Sequence, residues 1–140
     1  MDIVIIKSLT YFGLIGAYFF IGALWYSDRL FGKVWSRAHG LDLDNPDTVH
    51  RMKSRAPTAY IQSAVSLAVL VILLATILDL VGVQGPGEGL LIAFSLWVGF
   101  VAPVTIMNSL FVLRGLVPAV VDAGYHLVGM CIAGLVLGSF

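Results

Sequence analysis

The sequence predicts an all-α integral membrane protein, a four-helix transmembrane bundle with an amphipathic interfacial helix in its first loop. Three observations carry that prediction. Apolar runs at residues 9–26, 59–81, 89–113 and 116–139 take up well over half of the 140-residue chain. The run at 59–81 has no charge before Asp79, and at about 1.5 Å per residue it can cross a hydrocarbon core of roughly 30 Å. The chain is 59% hydrophobic and only 11% charged, with a mean hydropathy of +0.98, whereas soluble domains are about a quarter charged. The length leaves room for one domain, residues 1–140.

The first span, 9–26, ends in Trp25-Tyr26-Ser27-Asp28. Aromatic residues at that position mark a membrane interface, and a cleaved leader would need small residues spaced as A-x-A, so the run reads as a retained span. Six of the eight basic residues (Arg29, Lys33, Arg37, Arg51, Lys53 and Arg55) fall in the loop 27–58, which is therefore expected in the cytoplasm. Within it, Leu30, Phe31, Val34, Trp35 and Ala38 recur at helical spacing beside a stripe of Arg29, Lys33 and Arg37. Such a helix lies in the headgroup plane, with Trp25, Trp35 and the three cations as its interfacial anchors and membrane lipid as its partner. Gly40 can end it, Asp47 can cap a short basic helix over 47–55, and Pro57 should break or kink the chain before the second span.

The turn from Gly82 to Gly87 carries no basic residue and should face outward, flanked by Asp79 and Glu88, while Arg114 falls on the loop side. Both termini are then expected outside in a multi-pass cell-membrane protein. Span three holds Pro103 one turn after Gly99, which predicts a bend. Gly134 and Gly138, Gly129 and Ala133, and Gly13 and Ala17 are pairs of small residues four apart. They predict close helix contact, either within the chain or between copies. The similar segments 27–32 and 109–115 are too short to establish an internal repeat.

Function should be sought among polar residues within the spans, because a charge near the bilayer centre costs roughly 2.5 to 3.5 kcal/mol by insertion scales. Asp122 and His126 lie one turn apart on span four with Tyr125 beside them, and Asn108 and Tyr26 belong to the same half of the membrane. These five are the candidates for ligand contact or proton relay. The i, i+4 spacing places the carboxylate and the imidazole on one helix face, where they can bond directly. The same carboxylate can also act as polar glue across a helix interface, or pair with Arg114 or Arg29. Gln62, Ser63 and Ser66 form a polar stripe that can face the cluster. Two ligands are too few for a metal site, and His39 and His50 would have to fold back from the loop to complete one, so no metal or other cofactor is expected. Cys131 is the single cysteine, which excludes an internal disulfide. A formal charge of zero argues against nucleic acid. There is no Ser/His/Asp order, phosphate-cradling loop, HExxH or CxxC.

The stretch Gly22-Ala23-Leu24-Trp25-Tyr26-Ser27-Asp28-Arg29-Leu30-Phe31-Gly32-Lys33-Val34-Trp35 and the later Asp122-Ala123-Gly124-Tyr125-His126 resemble the two landmarks of the small membrane proteins grouped as domain of unknown function 1761. The resemblance covers most of the chain and implies four spans. It implies no activity, so no catalytic residue is carried over. Asp28 stands where that family often has proline, so the turn after Ser27 is expected to differ.

The sequence favours a non-enzymatic, self-associating four-span protein whose polar cluster organises packing or binds a small ligand or lipid. One alternative is a small oligomeric transporter or proton-coupled channel using Asp122 and His126. The other is an intramembrane acid–base enzyme acting on a lipid-like substrate, which would require a cavity beside these groups.

Overall fold

A computed structural model of the chain describes residues 3–140. The described residues are helical without a strand: α1 (Ile3–Trp25), α2 (Gly32–Ala38), α3 (Pro46–Val81), α4 (Pro86–Leu96), a π-helical turn (Trp97–Val101), α5 (Ala102–Phe111) and α6 (Leu116–Leu137). The segment from α4 through the π-turn to α5 is one continuous rod, so four helices are long and apolar enough to cross a membrane. This is the all-α, four-span architecture that the hydropathy predicts.

The helix boundaries differ from expectation in instructive ways. The second span and its preceding basic helix are one 36-residue helix that runs straight through Pro57. Proline removes one backbone hydrogen bond, but residues 51–60 lie almost wholly exposed, where water can serve the orphaned carbonyl. At 1.5 Å per residue the helix is about 54 Å long, so its first third projects beyond a hydrocarbon core of roughly 30 Å. Its cap is Asn45 and not Asp47: the Asn45 Oδ1 accepts the Asp47 N–H at 2.9 Å, with Pro46 in the first turn. Proline is suited to the first helical position because no partner is needed for its missing N–H, which moves the cap one residue ahead of it.

Where the sequence predicts a bend, span three carries a π-turn that includes Gly99 and ends two residues before Pro103. The Ala102 N–H reaches back to the Trp97 carbonyl, five residues away, and the one extra residue rotates the face of α5 relative to that of α4. The first-loop helix is shorter than its apolar pattern suggests: Leu30 and Phe31 belong to the turn before α2. Neither Ser27 nor Asp28 caps α2; the Ser27 hydroxyl donates to the Leu24 carbonyl at 2.6 Å instead. That turn is tight, with the Gly32 N–H on the Ser27 carbonyl at 2.9 Å, and a Cβ at Gly32 would strike the backbone of Tyr26 and Ser27.

The spans pack around α6, which touches every other helix and contributes ten buried residues. The contact that sets the spacing is glycine on glycine. A Cβ at Gly134 would collide with the Gly89 carbonyl and with Ala93, and one at Gly138 with the Gly85 carbonyl. The Gly134–Gly138 pair therefore serves packing of α6 on α4 within the chain. Gly13 and Gly16, by contrast, face open space on α1. Toward the α3–α4 turn the core is Leu14, Val71, Leu74, Ala75, Leu78, Ala93, Ala133 and Leu137. Lys7 at the start of α1 meets Asp79 at the end of α3 at 3.4 Å, as antiparallel neighbours require.

Candidate functional site

At its other end the core becomes polar and aromatic. The chain has three tryptophans, and each donates its indole N–H to one of three consecutive residues of α6. Trp25, the last residue of α1, bonds the Val121 carbonyl at 3.0 Å; Trp35, on α2, bonds the Asp122 Oδ1 at 2.9 Å; Trp97, in the π-turn, bonds the Ala123 carbonyl at 2.8 Å. The π-turn thus has a positional effect: it points Trp97 at α6. Trp25 and Trp35 reach inward to α6, while Arg29, Lys33 and Arg37 stay exposed.

Asp122 is the centre of this network. Its Oδ1 also accepts the Tyr26 hydroxyl at 2.7 Å, so one carboxylate oxygen ties the end of α1 and all of α2 to α6. Charge-assisted bonds of this kind are short and roughly twice as strong as neutral ones. The direct bond between Asp122 and His126 that the i, i+4 spacing suggests does not form. His126 turns its Nδ1 to the Tyr18 hydroxyl at 3.0 Å, while the Asp122 carboxylate takes the Tyr26 hydroxyl. Neither Arg114 nor Arg29 pairs with Asp122; among the described residues the one ion pair is Lys7 with Asp79.

Tyr18 is the member of the network that the sequence reading missed. It is 2% exposed, and its ring lies where a Cβ on Gly129 would be. Tyr125 stacks on it with ring centroids 5.2 Å apart and donates its hydroxyl to the Tyr18 carbonyl at 3.2 Å. Gly22 makes room for the Tyr125 hydroxyl. The available signal was a tyrosine about two turns inside an apolar span, since a phenol in hydrocarbon needs a partner. Asn108 does not join the network; it is exposed and forms no side-chain bond among the described residues.

Two clefts flank the network. One, about 580 Å³, opens between α1, α3 and α6 and is lined by Gln62, Ser63 and Ser66 on one side and by Tyr26, Tyr125 and His126 on the other. The polar stripe of α3 therefore does face the cluster. The second cleft, about 340 Å³, holds Asp122, Asn108, Ser109, Thr105, Arg114 and His39. His39 does fold back from the first loop, its ring lying 3.9 Å from that of Trp35 and its Nδ1 donating to the Trp35 carbonyl at 2.8 Å. No three His, Cys, Asp or Glu side chains come together among the described residues. The Tyr26–Asp122 bond separates the clefts, with the phenol in the wall of one and the carboxylate in the wall of the other.

The family model of DUF1761, described as a protein of unknown function, matches residues 10–138. The chain belongs to that family. No curated protein and no solved structure matches it. In this DUF1761 member, both sequence landmarks fall on the network: Trp25, Tyr26, Gly32 and Trp35 come from the first, and Asp122, Tyr125 and His126 from the second.

Proposed function

We propose that the protein is a non-catalytic membrane protein that binds a small amphiphilic molecule in the cleft between α1, α3 and α6. The observation that carries this reading is the cleft itself: a space of about 580 Å³ with hydrogen-bonding side chains on facing walls, opening between apolar spans. The network around Asp122 supports it by fixing one wall. Tyr26, Tyr125 and His126 are each tied to another element, so the cleft is held open by bonds that do not involve its occupant.

The acid–base reading draws on the same cleft, whose wall includes His126 and Tyr26. It is the weaker of the two, because Asp122 faces the other cleft and makes no bond to His126, leaving that pair unassembled. Transport would need a path through more than one copy, and the exposed Gly13–Ala17 face of α1 is the surface on which we place self-association. We put the loop 27–58 in the cytoplasm, with α2 along the headgroups and the cleft in the inner leaflet, a reading supported by the six basic residues of that loop.

Native mass spectrometry of protein gently extracted with its lipids tests the binding reading. Wild-type protein is expected to retain a non-protein mass that Ser63→Phe, which fills the cleft, loses. Val65→Phe, on the 59%-exposed outer face of the same helix, should retain it. Equal retention by all three proteins would rule the cleft out as the binding site.

A further inference from the structure

The structure assigns a chemical class to the occupant of this cleft: an uncharged amphiphile whose headgroup both donates and accepts hydrogen bonds. The assignment rests on the proposed binding reading and deepens it.

Hydroxyls on membrane helices ordinarily satisfy themselves by turning back onto a carbonyl one turn earlier. Thr10, Thr76, Ser95 and Thr105 all do so, with bonds of 2.9, 2.8, 2.8 and 2.7 Å to Ile6, Ile72, Leu91 and Val101. Ser63 and Ser66 do not. Neither they nor Gln62 has a hydrogen-bond partner among the described residues, and all three line the cleft. On the facing wall Tyr18 occupies the Nδ1 of His126, and the other ring nitrogen, Nε2, has no protein partner. It is not sealed away either, since no polar side-chain atom is left both buried and unbonded among the described residues. Four polar groups, three exposed on α3 and one on α6, thus line one open cleft without a protein partner, free to bond a molecule that enters it.

Charge then narrows the class. No Lys, Arg, Asp or Glu lines the cleft. The nearest carboxylate in the network, Asp122, stands behind Tyr26 with the phenol donating to it, so the face turned to the cleft is an aromatic ring. A phosphate would find no cation here and an ammonium no anion, whereas an uncharged headgroup leaves no charge unpaired. Gln62 and the two serines both donate and accept, which suits a hydroxyl-bearing headgroup. Phe19 and Tyr60, meeting edge to face with centroids 5.9 Å apart, give an apolar lip along which an acyl or prenyl chain can leave toward lipid. Glycerides and long-chain quinols share this chemistry.

The test uses wild-type protein in phosphatidylcholine vesicles with a photoreactive diacylglycerol, the crosslinks being mapped to peptides. Labelling is expected on the Phe19–Tyr26 and Tyr60–Leu67 segments. It should be competed by unlabelled dioleoylglycerol or by a decyl hydroquinone, the stronger competitor naming the source, and by phosphatidylglycerol or phosphatidylethanolamine at least roughly tenfold less well. Replacing the donors with Gln62→Leu, Ser63→Ala and Ser66→Ala together should lower labelling by about tenfold, while Ser95→Ala leaves it unchanged. Because competition is read on the wild type, a poorly folding triple variant does not blunt the result. Equal or stronger competition by a charged phospholipid would overturn the uncharged class while leaving a binding cleft in place; no labelling of these segments by any probe would overturn both.

Discussion

A single carboxylate oxygen accepts two hydrogen bonds at Asp122, from a phenol just past α1 and an indole on α2, and both donors lose their partner if it is removed. In hydrocarbon an orphaned donor costs more than the bond contributed in net terms, about 1 to 3 kcal/mol each. Asp122→Leu should therefore lower stability by roughly 2 to 4 kcal/mol in lipid nanodiscs. Asp122→Asn keeps an acceptor of the same shape and gives up only the charge assistance, so its melting temperature should fall by far less. Equal losses for the two variants would mean that charge, and not acceptor geometry, holds the network. Asp122 itself was legible in the sequence as an expensive intramembrane group able to bond across a helix interface, but depth alone did not single out Tyr26 and Trp35 as its partners. Which neighbour takes His126 was not legible. That depends on Tyr18 reaching across from α1, and a spacing of 108 residues in sequence leaves no periodic trace.

Among the elements, α4 and α6 show how glycine decides spacing. Their backbones touch at Gly89 and Gly134, so Gly134→Val must push the helices apart and is expected to cost about 1 to 3 kcal/mol of stability. Gly13→Val, where nothing lies within 4 Å, should leave melting unchanged in the same assay; if it also dissociates an oligomer, the open α1 face is where copies meet. The turn between α5 and α6 makes a separate demand. Gly115 has φ 78° and ψ −167°, a conformation essentially restricted to glycine, so Gly115→Ala should cost about 1 to 3 kcal/mol although its Cβ would meet nothing. Hydropathy located all four spans because each is a continuous apolar run. It could not show that α3 continues back to Pro46, because residues 47–55 read as a separate short basic helix ended by Pro57, and helix continuity there is a matter of solvation and not of pattern. The small-residue pairs were likewise visible, but which of them face one another is fixed by tertiary packing.

For the whole molecule, sidedness is the property on which the placement of the cleft depends. Asp44 lies in the loop between α2 and α3, and Gly85 in the turn between α3 and α4, where a side chain meets nothing. On a Cys131→Ala background, a membrane-impermeant maleimide should label Gly85→Cys in intact cells and Asp44→Cys only after permeabilisation. The reverse pattern would turn the protein over and move the cleft to the outer leaflet.

The glycine contact between α4 and α6 also bears on the order in which the molecule comes together. Residues 86–137 form two consecutive spans joined by a short tight turn and packed backbone on backbone, so this half can assemble as a hairpin as soon as both spans are inserted. Helix α1 meets it through side chains, by way of Tyr18 on Gly129 and the Trp25 and Tyr26 bonds to α6. The seam that lines the proposed cleft is thus held by side chains and not by backbone contact, so it can part toward the bilayer without disturbing the hairpin behind it.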